Sequence, residues 1–190
     1  MITQFYIFEN KGNTIGPLYH GSDSVFNEFS SEKLGDDNHL LSYLGCHFTP
    51  NFDMAQRLFA RKPNPTVYTV EITVVNPLKI TENRLVRNMI KWGYDNDYFD
   101  KKKIDMSFVE NSLYDSPNGG DLNTALWCDN GPNQIINKRK LSLGYKNNFL
   151  IPQGYDSIEY LNEIEWVRDK RYDWIVFNNN RVKIINRVKI

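Results

Sequence analysis

The run Thr66 to Val75, TVYTVEITVV, constrains this chain more than any other stretch. It is rich in β-branched residues, alternates in polarity, and is stopped by Asn76-Pro77, the pattern of a strand with one face on a core. A chain carrying it must build a sheet, and several shorter segments offer partners. Ile15 to Tyr19 and Tyr6 to Phe8 flank a turn-like Lys11-Gly12-Asn13. Gly45 to Thr49, Ser157 to Tyr160, Trp174 to Phe177 and Arg181 to Ile185 read as further strands, and Leu78 to Ile80 as a short extension of the long one. Helix signals are fewer. Asn51 is placed to cap a helix with Asp53 in its first turn and Met54, Ala55, Leu58 and Phe59 on one face. Leu85 to Trp92 and Leu122 to Cys128 have helical patterns, whereas 93–120 is polar and turn-rich. Short strands and few helices without a repeat predict an α+β fold, a split and twisted sheet in a single domain over 1–190.

At 190 residues, with 41% apolar and 24% charged side chains, the chain can form a core. Its formal net charge of zero argues against a dedicated nucleic-acid coat. No apolar run reaches the length of a membrane span, and the first residues lack a secretion signal, so a cytoplasmic protein is expected. Cys46 and Cys128 have no metal-ligand spacing, so no metal is expected. The Asn-rich bias, as at Asn178-Asn179-Asn180, reads as the codon usage of a low-GC genome.

Of the three histidines, His20 stands out because Leu18-Tyr19-His20-Gly21-Ser22 places an imidazole at a strand end beside a glycine. The glycine lets a planar amide approach the backbone closely. His47 lies on a second short strand with Phe48 and Thr49, and His39 sits in a polar loop.

Those runs carry a family resemblance. Tyr19-His20-Gly21-Ser22, then Gly45-x-x-Phe48-Thr49 with Ala55 after it, resemble the ADP-ribosyltransferase fold, as do Gly154-Tyr155-Asp156-Ser157-Ile158 and Trp174-Ile175-Val176-Phe177. The look is that of the domains in phage polyvalent proteins and bacterial effectors. It covers roughly 1–80 and 150–190 and leaves an unmatched insert at about 93–150. The resemblance implies NAD as co-substrate, with His20 on a ribose hydroxyl and the Gly21 backbone on the nicotinamide carboxamide. Ser22, Phe48 and Thr49 belong to the same pocket, and Phe59 supplies an aromatic from the helix. His47 stands where relatives usually have a stacking tyrosine, a departure that weakens the match to ordinary NAD geometry.

Such chemistry also needs a carboxylate whose charge stabilises the oxocarbenium-like transition state. Three acids fit family patterns. Glu165 follows Asn162 by three residues, Glu163 forms a Glu-x-Glu pair with it, and Asp173 immediately precedes Trp174-Ile175-Val176-Phe177. The activity implied is cleavage of the nicotinamide–ribose bond and transfer of ADP-ribose to a macromolecule, a host protein before all, in the cytoplasm of a phage-infected cell. Three alternatives stay open: a degenerate binding module, an NAD glycohydrolase, and a nucleic-acid modifier using Lys101-Lys102-Lys103 and Lys138-Arg139-Lys140.

Overall fold

The computed structural model describes residues 12–30, 40–59, 62–99, 137–162 and 172–190, with the side chains of 58 and 59 left aside. The expected segments at Tyr6–Phe8 and Leu122–Cys128 lie outside these residues.

Two sheets form. The first has the order β1 (Asn13–Ser22), β3 (Thr66–Val74), β7 (Val182–Lys189), all antiparallel. The second has the order β2 (Cys46–Phe48), β6 (Tyr172–Val176), β5 (Ser157–Leu161), β4 (Pro77–Thr81), with only β4 and β5 parallel. The TVYTVEITV run is thus the central strand of the first sheet, and its alternation buries Tyr68, Val70, Ile72 and Val74 on one face. Leu78 to Ile80 does not extend it. After Val75-Asn76 the chain crosses to the second sheet and pairs with β5. The α+β expectation with a split sheet agrees with this architecture.

Three helices accompany the sheets among the described residues. Helix α1 (Phe52–Phe59) is capped as its sequence predicts, the Met54 N–H donating to Asn51 Oδ1 at 3.2 Å. Helix α2 (Glu82–Asp95) is longer than the apolar pattern suggested, because Thr81, the last residue of β4, caps it through the Arg84 N–H. Helix α3 (Lys138–Tyr145) is capped by Asn137 and runs into a π-helical turn, Lys146–Leu150. Its sequence shows three cations and little periodicity, so it was not legible as a helix.

Two cores organise these parts. One lies between the sheets, where Leu18, Tyr68, Val70 and Ile72 meet Cys46, Phe48, Trp174 and Val176. The other fills the opposite face of the second sheet, where Ile158, Tyr160 and Ile175 meet Leu85, Met89 and Ile90 of α2 and Leu141 and Tyr145 of α3. A Cβ at buried Gly45 would run into the Val176 carbonyl oxygen, so only glycine lets β2 lie against β6 at that point.

Candidate active site

Among the described residues an isolated backbone bridge joins the sheets. Tyr19 of β1 donates to the Thr49 carbonyl at 2.8 Å and accepts from the Thr49 N–H at 3.0 Å. Both polar groups of Tyr19 therefore point away from β3. Because strand geometry repeats every two residues, those of Gly21 point the same way. Continued pairing would set Gly21 against His47, but no bond to the Gly21 backbone forms on that side among the described residues. The His47 carbonyl is taken instead by the His20 ring, whose Nδ1–H donates to it at 2.8 Å. Among the described residues the strands part at this point, leaving a peptide edge with one donor and one acceptor at the seam.

The His20 imidazole packs against Phe29, Phe48 and Phe26, with ring centroids 5.1, 5.8 and 6.4 Å away. Phe26 stacks on Tyr68 at 4.2 Å. The loop carrying these phenylalanines is tied down. The Phe26 N–H donates to the Tyr68 hydroxyl at 2.8 Å, the Tyr68 hydroxyl donates to the Ser24 carbonyl, and Asn179 donates to the Phe29 carbonyl at 2.7 Å. Asn178 accepts from the Asn180 N–H at 3.0 Å, so the asparagine run has a structural role that codon bias does not express. Removal from water lowers the His20 pKa below its usual 6.5, against the opposing effect of the His47 carbonyl. The ring is thus neutral near pH 7, its proton sits on Nδ1, and Nε2 is left as an acceptor.

His47 sits on the other face of β2 from Phe48, half-buried, with Nε2 at 3.0 Å from the Leu41 carbonyl. Its ring is engaged with the 3-10 turn Leu40–Tyr43, which α3 also holds through Ser142 and the Leu40 carbonyl. Phe48 is core and backs the His20 ring. Ser22 is buried and caps its own turn, accepting from the Ser24 N–H at 3.1 Å. Thr49 accepts from the Asn51 N–H at 3.3 Å, which turns the chain from β2 into α1. The side chain of Phe59, at the end of α1, lies outside the described residues.

Of the three acids, Glu163 and Glu165 lie outside the described residues, while Asp173 is buried on β6. Phe48 pairs with Trp174, so the next residues along the two strands are Thr49 and Asp173. Asp173 faces Tyr160 across β5 and accepts from Asn162 Nδ2 at 2.8 Å. Asp173 and Thr49, the bridge to Tyr19, and the adjacent His20 and Gly21 thus follow one another along the backbone across the seam, while the Asp173 side chain lies on the Tyr160 face of the second sheet. Sequence reading missed Phe26 and Phe29 as parts of this arrangement, and named Asn162 only as the residue three before Glu165, not as a partner of Asp173. The spacing of two phenylalanines shortly after His20-Gly21-Ser22 was the available signal for the first two.

Beside the site, burial pushes the Cys46 thiol up to about 12, although nearby Lys146 acts to lower it. Among the described residues no group of three His, Cys, Asp or Glu side chains is placed to hold a metal ion. No described helix is long and apolar enough to cross a membrane.

Residues 9–188 match the model of a family described as ADP-ribosyltransferase in polyvalent proteins. The chain belongs to this family. Comparison with curated proteins and with solved structures returned no match.

Proposed function

We propose that this ADP-ribosyltransferase domain cleaves the nicotinamide–ribose bond of NAD at the seam and transfers ADP-ribose to a protein of the host cell, acting in the cytoplasm as a phage-type effector. The observation that carries the reading is the Gly21 edge, which has no backbone partner on the β2 side among the described residues, beside a neutral His20. A carboxamide presents an N–H donor and a carbonyl acceptor, the complement of a peptide edge offering C=O and N–H. The Nε2 lone pair of His20 accepts from a ribose hydroxyl; burial in the aromatic box keeps the ring uncharged, and the His47 carbonyl holds its proton on Nδ1. Thr49 steadies the strand end, where its hydroxyl accepts from the Asn51 N–H.

Asp173 supplies the negative charge. As the glycosidic bond breaks, nicotinamide leaves with the bonding electron pair, positive charge develops at the ribose, and the carboxylate stabilises it. The acceptor then forms the new bond to the same carbon and gives up its proton. His47 has a supporting place here. With its ring on the Leu41 carbonyl and its own carbonyl on His20, it fixes the histidine that binds NAD.

The test is incubation of purified protein with labelled NAD and host lysate, comparing wild type with Asp173→Asn, Glu165→Gln and Glu163→Gln. Loss of a preorganised charge predicts a fall of about 100- to 1000-fold for Asp173→Asn. Labelled protein that persists in Asp173→Asn and vanishes in Glu165→Gln or Glu163→Gln overturns the assignment of the acid. Folded wild-type protein that consumes no NAD overturns the enzymatic reading. Free ADP-ribose produced with no labelled acceptor makes the domain a glycohydrolase.

A further inference from the structure

We propose that Asn162 is a positioning residue that orients the Asp173 carboxylate and keeps it ionised, an inference that rests on the reading of Asp173 as the site acid. Asn162 follows the last residue of β5, and Asp173 lies near the start of the neighbouring antiparallel strand β6. Leu161 pairs with Tyr172, and Tyr160 pairs with Asp173. Strand alternation therefore puts Tyr160, Asn162 and Asp173 on one face, with Asn162 diagonal to the acid. At that spacing an amide side chain reaches its neighbour on the next strand, and Asn162 Nδ2 donates to Asp173 Oδ2 at 2.8 Å.

Two consequences follow from this single bond. The first is orientation. A carboxylate at the end of a strand has a broad terminal torsion, and one oxygen held by an amide N–H fixes that torsion and points the other oxygen along a defined direction. The second is charge. Asp173 is buried, and burial alone favours the protonated acid, which has no charge to place against a developing cation. An N–H aimed at the carboxylate favours the ionised form instead. Asn serves here better than Asp or Ser: its amide always has a donor, and it adds no charge of its own. Asn162 thus contributes, beside the other partners of Asp173, to keeping a working carboxylate charged out of water.

The experiment reads the Asp173 side-chain carboxyl directly, by carbon NMR of labelled full-length protein across pH, in wild type, Asn162→Ala and Asn162→Asp. The aspartate variant is close to isosteric and guards against a failure of folding. Removing the donor is expected to raise the Asp173 titration midpoint by about one unit in Asn162→Ala, and the added carboxylate to raise it further in Asn162→Asp. In the labelling assay the acid limb of kcat/KM should move upward by the same amount, with kcat about tenfold lower and NAD affinity within about twofold of wild type. Midpoints unchanged in both variants, in a protein that turns over NAD, overturn the positioning role and leave the proposed function standing. Midpoints that shift as expected in a protein that consumes no NAD leave the positioning role standing and overturn the function.

Discussion

Replacing Asp156 by alanine should unfasten the two sheets from each other. Its carboxylate accepts from the N–H groups of Val75 and Asn76, at 2.7 and 3.1 Å, where the chain leaves the first sheet for the second. It also accepts from the Ser157 hydroxyl at 3.0 Å and pairs with Arg181, just ahead of β7. Two backbone N–H groups held by a carboxylate resemble a helix cap, whose loss typically costs about 1 kcal/mol per bond. The ion pair adds less, about 0–1 kcal/mol, because the Arg181 side chain is 36% exposed and the charge is partly screened. The sum is about 2–3 kcal/mol. At roughly 2–4 °C per kcal/mol for a chain of this size, the Tm should fall by about 5–10 °C. Thermal unfolding followed by circular dichroism measures it, with Arg181→Ala as the control that removes only the ion pair. If the two variants melt within about 2 °C of each other, the carboxylate does not hold the 75–76 turn and the argument fails. Hydrogen exchange at the Val75 and Asn76 amides gives a second reading, since both should lose protection in Asp156→Ala and keep it in Arg181→Ala.

Other perturbations test the site and its supports. Because the folded His20 pKa lies below 6.5, the unfolded chain binds more protons through that range, so stability should decline as pH falls below about 6.5. Tm measured from pH 8 to 5 should show this slope flattened in His20→Gln, and an identical slope would refute the assignment. Gly45→Ala should cost about 3 kcal/mol or more, because the new methyl meets the Val176 backbone and not a side chain that can swing aside. Poor soluble yield or a steep drop in denaturation midpoint would register it, whereas a wild-type midpoint would show that β2 can shift. Cys46 should resist iodoacetamide at pH 8 in the folded protein, since the thiolate is scarce and the residue is buried. Peptide mass spectrometry reads this site by site, and rapid labelling of Cys46 without denaturant would contradict the packing.

The parts of the fold that were legible in the sequence are those where local chemistry and tertiary packing agree. The alternation of Tyr68, Val70, Ile72 and Val74 needs only a core on one side, and Asn51 caps α1 through its own next turn. What was illegible depends on partners far away in the chain. Nothing in Leu78-Lys79-Ile80 says that its neighbour will be β5 rather than β1, because that choice is made by Asp156, eighty residues on, gripping the Val75-Asn76 turn. Helix α3 begins Lys138-Arg139-Lys140, cations at the end where the helix dipole disfavours them. It is held by its cap and by buried Leu141 and Tyr145, and by Arg139 and Lys140 lying over the rings of Tyr43 and Tyr98. At the site, His20 and Gly21 were visible as a strand-end pair, yet the aromatic box was not. A phenylalanine in a loop becomes part of a site only when Tyr68 and Asn179 fasten that loop over the ring.

One hydrogen bond ties the electrostatics of the seam to its shape. In an uninterrupted antiparallel ladder the His47 carbonyl would accept from the Gly21 N–H, the two strands would close, and no polar edge would remain. The His20 ring supplies the donor instead. That substitution fixes the ring proton on Nδ1, and it leaves the Gly21 N–H in need of a partner, since a backbone donor withdrawn from water rarely goes without one. A ligand carbonyl is suited to be that partner, and its amide N–H to meet the Gly21 carbonyl. The tautomer of His20 and the open edge of Gly21 are therefore not separate adaptations. A side chain at position 20 that cannot donate should lose both, closing the strands as it abolishes binding. Crystal structures of His20→Phe and His20→Asn would separate the cases: the asparagine keeps an N–H for the His47 carbonyl and with it the parted strands, while the phenylalanine lets Gly21 and His47 pair.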